Sequence, residues 1–154
     1  MSISSYCILK NEAEFVRDCL RCLAWFSEEI ILVVDPTSTD ETLQLCEEFA
    51  YATNIVKIIQ RETPWSLAEQ REFTRQQCAG DWICTLDGDE CVHAAILQAL
   101  PEMLASNVDA FMFPRLVMGP DKFHYLHKGG DVDPQIKLFR NDPSIKYETR
   151  EGGV

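Results

Sequence analysis

The chain has 154 residues, enough for one domain that removes roughly 70% of its unfolded surface from water. It carries 25 acidic against 14 basic residues, a formal net charge of −11, so its surface as a whole repels phosphate backbones and anionic headgroups. The expected partners therefore include no nucleic acid, and no membrane span is expected because no apolar run approaches the roughly 20 residues that cross a bilayer.

The start, MSISSYCILKNE, reaches charge after a handful of apolar residues and has no small-residue cleavage segment, so it does not read as a signal peptide. Seven cysteines make an odd count, and Cys7, Cys46, Cys78 and Cys84 sit inside apolar patterns. That usage points to reduced thiols and a cytoplasmic location. Cys19-x-x-Cys22 has the spacing of a metal or redox pair. No second Cys or His pair accompanies it, and both residues share the apolar face of a helical pattern, so packing is the plainer reading.

In chain order, the apolar run Ile3 to Leu9 reads as a strand. After Asn11-Glu-Ala-Glu, the spacing of Phe15, Val16, Cys19, Leu20, Leu23 and Phe26 predicts a helix. Ile30 to Val34 is a continuous, branched run ending on Asp35-Pro36. Thr39-Asp-Glu-Thr then looks like a helix start with its capping residue and early acids. Ile55 to Ile59 predicts a third strand, and Ser66 to Cys78 a third helix that leaves at Ala79-Gly80. Trp82 to Leu86 makes a fourth strand, and His93 to Ala105 a fourth helix, broken or kinked near Pro101. Ala110 to Val117 and Gln135 to Phe139 read as later strands, separated by Gly119 to Asp133. Trp82 and Trp25 fall in patterns that predict core packing, while Trp65 is free to stack on a sugar or base.

Unbroken apolar strands alternating with helices indicate an α/β domain whose mainly parallel sheet is covered on both faces. Ligands of such sheets bind beyond the carboxyl ends of the strands, near the switch point. That rule selects Lys10-Asn11-Glu12 after the first strand, Asp35 after the second and Asp87-Gly-Asp89 after the fourth, all on one edge.

The stretch Thr85-Leu-Asp-Gly-Asp-Glu90 places three carboxylates in four positions. On an extended strand Asp87 and Asp89 point to the same side, about 6.6 Å apart at their alpha carbons, and they repel unless a cation or hydrogen-bond donors lie between them. Hard oxygen ligands suit Mn²⁺ or Mg²⁺, with Mg²⁺ taking one or two carboxylates and leaving its other positions to water and phosphates. One acid would then hold the metal while the other accepts from a ribose, and Gly88 would let the backbone turn and a ligand approach. A solvated turn explains the same residues more blandly.

Taken together, Lys10-Asn11-Glu12, Val33-Val34-Asp35 with Ser38-Thr-Asp-Glu-Thr42, Ala68-Glu-Gln-Arg71, and Ala79-Gly-Asp-Trp-Ile83 running into Leu86-Asp-Gly-Asp-Glu90 resemble family 2 glycosyltransferases of the GT-A fold. The likeness is nearest to the bacterial subgroup similar to lipopolysaccharide-core glucosyltransferases. It covers residues 1 to about 92, and Gln135-Ile-Lys-Leu-Phe-Arg140 resembles a later family segment. The resemblance implies a three-layer α/β/α, Rossmann-like single domain over residues 1–154 with a mainly parallel mixed sheet. Residues 1–92 would form the nucleotide-sugar donor half, and 93–154 a partial, possibly truncated, acceptor half. It further implies that Asp35 accepts from the base, that Lys10, Asn11 and Glu12 line the base and ribose pocket, that Asp87 faces the ribose, and that Arg71 contacts the nucleotide or its phosphates. Asp89 would be the metal ligand and the residue on which catalysis depends. The cofactor would be Mn²⁺ or Mg²⁺, the donor a UDP-hexose, and transfer to an acceptor hydroxyl would invert the anomeric centre with the help of a general base.

Where the family carries Asn after the arginine, this chain has Glu72. The subgroup's later His-Glu pair is also missing, which leaves Glu148, Glu151, Asp131 and Asp133 as weak substitutes for the base. His124-x-x-His127 with Lys128 would touch an acceptor or decorate the surface. Two other functions compete. One is a truncated, non-catalytic GT-A module that binds a nucleotide sugar or a partner chain. The other is a phosphatase of the haloacid-dehalogenase type, although there the Asp-x-Asp follows the first strand and continues into Thr or Val.

Overall fold

The structure is a computed structural model that describes residues 1–64, 66–118 and 133–148. Its elements follow the expected order: β1 (Ile3–Leu9), α1 (Val16–Ala24), β2 (Glu29–Val34), α2 (Thr42–Ala52), β3 (Val56–Gln60), α3 (Leu67–Arg75), β4 (Trp82–Thr85), α4 (Ala94–Ala105), β5 (Ala110–Arg115) and β6 (Asp133–Arg140). They build one six-stranded sheet in the order β3-β2-β1-β4-β6-β5. The first four strands are parallel, and β6 runs antiparallel to both β4 and β5. A mainly parallel mixed sheet is therefore what the chain forms.

The continuous apolar runs follow from burial on both faces. In β2, Ile30, Leu32 and Val34 enter the cluster that also takes Val16, Leu20 and Leu23 of α1, Leu45 of α2 and Leu100 of α4. Ile31 and Val33 point the other way, joining Tyr6, Ile83 and Phe139, with Phe73 of α3 packed against them. Each face has its own core, so alternation by polarity is absent where the sheet is central. Trp82 lies in the first cluster as expected, its ring 5.8 Å from that of Phe111 with the Arg140 guanidinium 4.6 Å above it.

Several local expectations need correction. Trp25 is 80% exposed, because α1 ends at Ala24 and its buried positions are Val16, Cys19, Leu20 and Leu23. The acids expected in the first turn of α2 lie before it: the helix begins at Thr42, and Asp40 Oδ1 accepts from the Thr42 N–H at 3.0 Å and from its hydroxyl at 2.6 Å. Of the break or kink expected near Pro101, the break is ruled out, since helix α4 continues through that residue. Pro101 faces solvent, where water can serve the carbonyl it frees, while Leu97, Leu100 and Leu104 on both sides of it pack on the sheet. Helix α3 is shorter than the expected Ser66 to Cys78, running from Leu67 to Arg75 with Ser66 as its cap, Oγ accepting from the Glu69 N–H.

All seven cysteines are free thiols. The members of Cys19-x-x-Cys22 turn to different neighbours: Cys19 Sγ lies 3.7 Å from Cys7 Sγ, and Cys22 Sγ accepts from the Val92 N–H at 3.0 Å. No helix among the described residues is long and apolar enough to cross a membrane.

Leu32 has no exposure and contributes to the larger core. Leu32→Ala should lower the unfolding free energy by about 2–5 kcal/mol, read from urea denaturation curves with an unchanged m-value.

Candidate functional site

Because β1, β2, β3 and β4 are parallel, the chain leaves all four on the same edge. The sheet order places β1 between β2 and β4, so the segment after β1 and the segment after β4 flank the switch point where a crevice opens. The structure brings Lys10, Asn11, Glu12, Asp35, Asp87 and Asp89 to this edge. Arg71 joins them from α3, its guanidinium nitrogen 3.7 Å from Asp87 Oδ1.

Asn11 turns the chain away from β1 at φ 56°, a left-handed conformation that Asn tolerates better than most residues. Its side-chain oxygen accepts from the Thr39 N–H at 2.8 Å, and the Glu12 N–H donates to Thr42 Oγ1 at 2.7 Å. The loops after β1 and β2 are thereby stitched together.

Asp35 is 1% exposed and fully engaged. The Thr37 N–H and hydroxyl donate to Oδ1 at 2.8 and 2.6 Å, while the Thr63 N–H and the Lys10 ammonium donate to Oδ2 at 3.0 and 3.2 Å. Burial alone would raise this carboxyl, but the hydrogen bonds from Thr37 and Thr63 outweigh it and hold Asp35 well below the usual carboxylate range. Of these four donors only Lys10 is a mobile side chain, and it is half exposed.

The acidic stretch is not an extended pair of aspartates. Strand β4 ends at Thr85, and residues 87–90 form a turn in which the Glu90 N–H donates to the Asp87 carbonyl at 3.0 Å and the Asp87 N–H donates back to Glu90 Oε2 at 3.0 Å. The two aspartates consequently have different surroundings. Asp87 lies between Arg71 and Lys137, whose ammonium is 3.6 Å from Oδ2. Asp89 is exposed and, among the described residues, has no hydrogen bond or ion pair. Gly88 is buried, and a beta carbon there would stand 2.7 Å from both Glu12 Cγ and Leu9 Cδ2. The space beside it, expected to admit a ligand, is taken by the protein's own β1 exit, onto which the turn docks.

Glu12 faces the same turn. Its carboxyl is pushed above its ordinary value, first by burial and then by Asp89, Asp87 and Asp40. An acidic cluster that strains its own members in this way suits a divalent cation. Among the described residues no three or more His, Cys, Asp or Glu side chains are gathered to hold a metal. A cation here would accordingly take one or two carboxylate oxygens and leave its other positions to phosphate and water, which is ordinary coordination for Mg²⁺.

Glu72, the departure from the family pattern, turns away from this edge. It accepts from Arg75 Nε and NH2 at 2.9 and 2.7 Å, from Gln76 Nε2 at 3.0 Å and from the Tyr147 N–H at 3.0 Å. Tyr147 in turn receives a hydrogen bond from the Tyr6 hydroxyl at 2.8 Å, so the later chain is docked on α3. Of the candidate bases, Glu148 is exposed beside Lys146, and Asp133 accepts from Arg115 NH2 at 2.7 Å. Trp65, Asp131, Glu151 and the His124, His127, Lys128 group lie outside the described residues. Sequence reasoning assigned no role to Thr37, Thr63 or Lys137, and it marked Glu90 only as the third carboxylate of the acidic stretch. The available signal was a charged Lys137 at an inward-facing position between Ile136 and Leu138.

Solved structures that share this mainly parallel mixed sheet and its helices are GT-A glycosyltransferases. Staphylococcus aureus TarS shares the fold at a TM-score of 0.67 and 19% identity over 92% of this chain and 28% of its own. TarS residues 1–349 in complex with UDP-GlcNAc match at 0.57 and 25% identity over 68% of this chain and 31% of that one. The mannosyltransferase PcManGT of Pyrobaculum calidifontis, in complex with GDP-Man and Mn²⁺, matches at 0.61 and 18% identity over 79% and 36% of the two chains.

The chain belongs to glycosyl transferase family 2, whose sequence pattern matches residues 7–151. It is 31% identical over 108 residues to the lipopolysaccharide core biosynthesis glycosyltransferase LpsC of Rhizobium meliloti (strain 1021), covering 70% of this chain and 38% of LpsC. An uncharacterized glycosyltransferase of Rickettsia bellii (strain RML369-C) is 31% identical over 136 residues, 87% of this chain and 42% of its own. The chain thus spans about two fifths of the length of these curated relatives.

Two outcomes follow from this geometry. Hydrogen bonds from Arg75 bring the Glu72 carboxyl from 4.5 down to about 2, so its contribution to stability is complete above its unfolded value and is lost as pH falls from there toward its folded one. Glu72→Gln should therefore remove on the order of 1 kcal/mol of the stability difference between about pH 6 and pH 3, a figure halved to allow for partial exposure, in urea titrations at the two pH values. Gly88→Ala should cost about 1–3 kcal/mol, because its methyl must displace Glu12 or Leu9, measured as a lowered thermal midpoint.

Proposed function

We propose that this chain is the donor-binding part of a metal-dependent, inverting glycosyltransferase that moves a hexose from UDP to an acceptor hydroxyl. The observation that carries this reading is the gathering of Lys10 to Glu12, Asp35, Arg71, Asp87 and Asp89 from separate segments at the carboxyl edge of one sheet, with Asp89 exposed and, among the described residues, unpaired. Neighbours of the same fold bound to UDP-GlcNAc, to UDP, and to GDP-Man with Mn²⁺ support a nucleotide-sugar donor. The free thiols agree with a cytoplasmic location.

In this reading the base and ribose lie over Lys10, Asn11 and Glu12. Asp35 offers the base an acceptor oxygen once the half-exposed Lys10 swings off Oδ2, the threonine donors keeping the carboxylate ionised. Asp87 accepts from a ribose hydroxyl, and Arg71 faces the diphosphate. Asp89, with Glu12 nearby, would hold Mn²⁺ or Mg²⁺, which when bound supplies positive charge to the leaving diphosphate. Arg71 adds a fixed charge on the same side, stabilising the negative charge that grows as the bond to the anomeric carbon breaks. An acceptor hydroxyl attacking from the face opposite the diphosphate would form the new bond to the anomeric carbon as the bond to the diphosphate breaks and a general base takes the hydroxyl proton, leaving the anomeric configuration inverted.

The test titrates UDP and UDP-hexoses, with and without Mn²⁺, into the wild type and Asp89→Ala. The wild type should bind only with metal. The variant should lose more than about tenfold in affinity, equivalent to ~1.4 kcal/mol, with an unchanged circular-dichroism spectrum. Undiminished binding by the variant would count against the assignment. Donor hydrolysis or transfer in the same samples separates an enzyme from a module that binds without turnover, and tighter binding of GDP-mannose would reassign the base.

A further inference from the structure

Lys137 stands at the middle of β6 between two apolar residues, with a side chain only 10% exposed. Its ammonium donates to Glu90 Oε2 at 2.5 Å and lies 3.6 Å from Asp87 Oδ2. The same Glu90 oxygen accepts the Asp87 N–H that closes the turn. On the other side, Arg71 lies 3.7 Å from Asp87 Oδ1. Asp87 therefore has a cation against each oxygen, whereas Asp89, two residues on, has none among the described residues. Lys137 reaches this position because β6 pairs antiparallel with β4, aligning Leu138 with Cys84.

A buried ammonium needs partners, and the partners of Lys137 are the two carboxylates that shape the turn. A divalent ion approaching Asp87 would meet two positive groups, which makes that carboxylate a poor ligand. At Asp89 it meets none among the described residues.

We propose that Lys137 is a positioning residue that divides the labour of Asp87-Gly-Asp89: with Arg71 it occupies Asp87, through Glu90 it fixes the turn, and it leaves Asp89 alone to face a divalent cation. This inference rests on the donor-site reading above. It gives β6, which follows α4 and β5 in the chain, a direct part in shaping a site otherwise built from the first four strands and α3.

The experiment titrates Mn²⁺ alone, followed by its electron paramagnetic resonance, and UDP in saturating Mn²⁺. The proteins are the wild type, Lys137→Gln, Lys137→Arg, Asp87→Asn and the Lys137→Gln/Asp87→Asn double variant, each checked for folding by circular dichroism. With Lys137 neutralised, Oδ2 of Asp87 loses its cation while Arg71 stays beside Oδ1, and Oδ2 becomes a second ligand. Lys137→Gln should thus bind Mn²⁺ alone about tenfold more tightly, since affinity follows the count of ligand charges, while UDP binds about fivefold more weakly as the turn is drawn toward the metal. A substitution that merely loosened the fold would weaken both. Lys137→Arg should keep wild-type behaviour, and in the Asp87→Asn background Lys137→Gln should change Mn²⁺ affinity by less than about twofold. An equal gain with and without the Asp87 carboxylate, or no change in either titration, overturns the proposal. Should Lys137→Gln fail to fold, Lys137→Gln/Glu90→Gln, which neutralises the buried pair together, carries the same expectations. A folded wild type that binds no UDP with Mn²⁺ sinks the donor-site reading and this inference with it, whereas normal wild-type binding with independent effects at Lys137 and Asp87 sinks this inference alone.

Discussion

The parallel pairing of β1 with both β2 and β4 is the constraint on which the site depends. Leu9 is in register with Val34, and Tyr6 with Thr85, so the segments that follow these strands leave the sheet side by side on one edge. A parallel pair cannot be joined by a tight turn, which sends the chain through a helix and back each time. The chemistry-bearing residues are thereby collected at one edge while the returning helices supply the core. Gly88 completes the arrangement, since only a residue without a side chain lets the acidic turn settle onto Leu9 and Glu12.

Charge at this edge is distributed by neighbours more than by residue type. Three aspartates end up in three conditions. Asp35 is buried under four donors, Asp87 lies between two cations, and Asp89 faces solvent. In a chain with a formal net charge of −11, the basic groups that enter this cluster, Lys10, Arg71 and Lys137, determine which of these carboxylates are paired. Glu12, pushed upward by burial and then by Asp89, Asp87 and Asp40, registers the repulsion that remains.

Membership of glycosyl transferase family 2 and the GT-A fold fit the division of the chain around this edge. The first four strands carry the candidate donor site, and the later elements do more than extend the sheet. Strand β6 brings Lys137 under the acidic turn, and the segment after it brings Tyr147 against Tyr6 and Glu72. The substitution of Glu72 at the family's Asn position is explained by this docking, because its carboxylate holds Arg75 and the Tyr147 backbone and does not face the donor edge.

The order and type of the elements were legible in the sequence because apolar periodicity and branched runs are local properties that burial on two faces must respect. Asp35, Asp87 and Asp89 were legible as edge residues for the same reason, since each follows a strand whose end is marked. What local pattern misjudged were the places where a tertiary neighbour decides. Trp25 fell outside the core when α1 stopped at Ala24, Asp40 became a bond between loops instead of a first-turn acid, and the expected strand pair of aspartates became a closed turn. By itself the sequence determined an α/β sheet with acids at its carboxyl edge, because strand and helix periods are written in consecutive residues. Only the tertiary structure decided which of these acids is paired and which is not among the described residues, because the cations beside Asp87 come from α3 and β6, distant along the chain and less than 4 Å away in space.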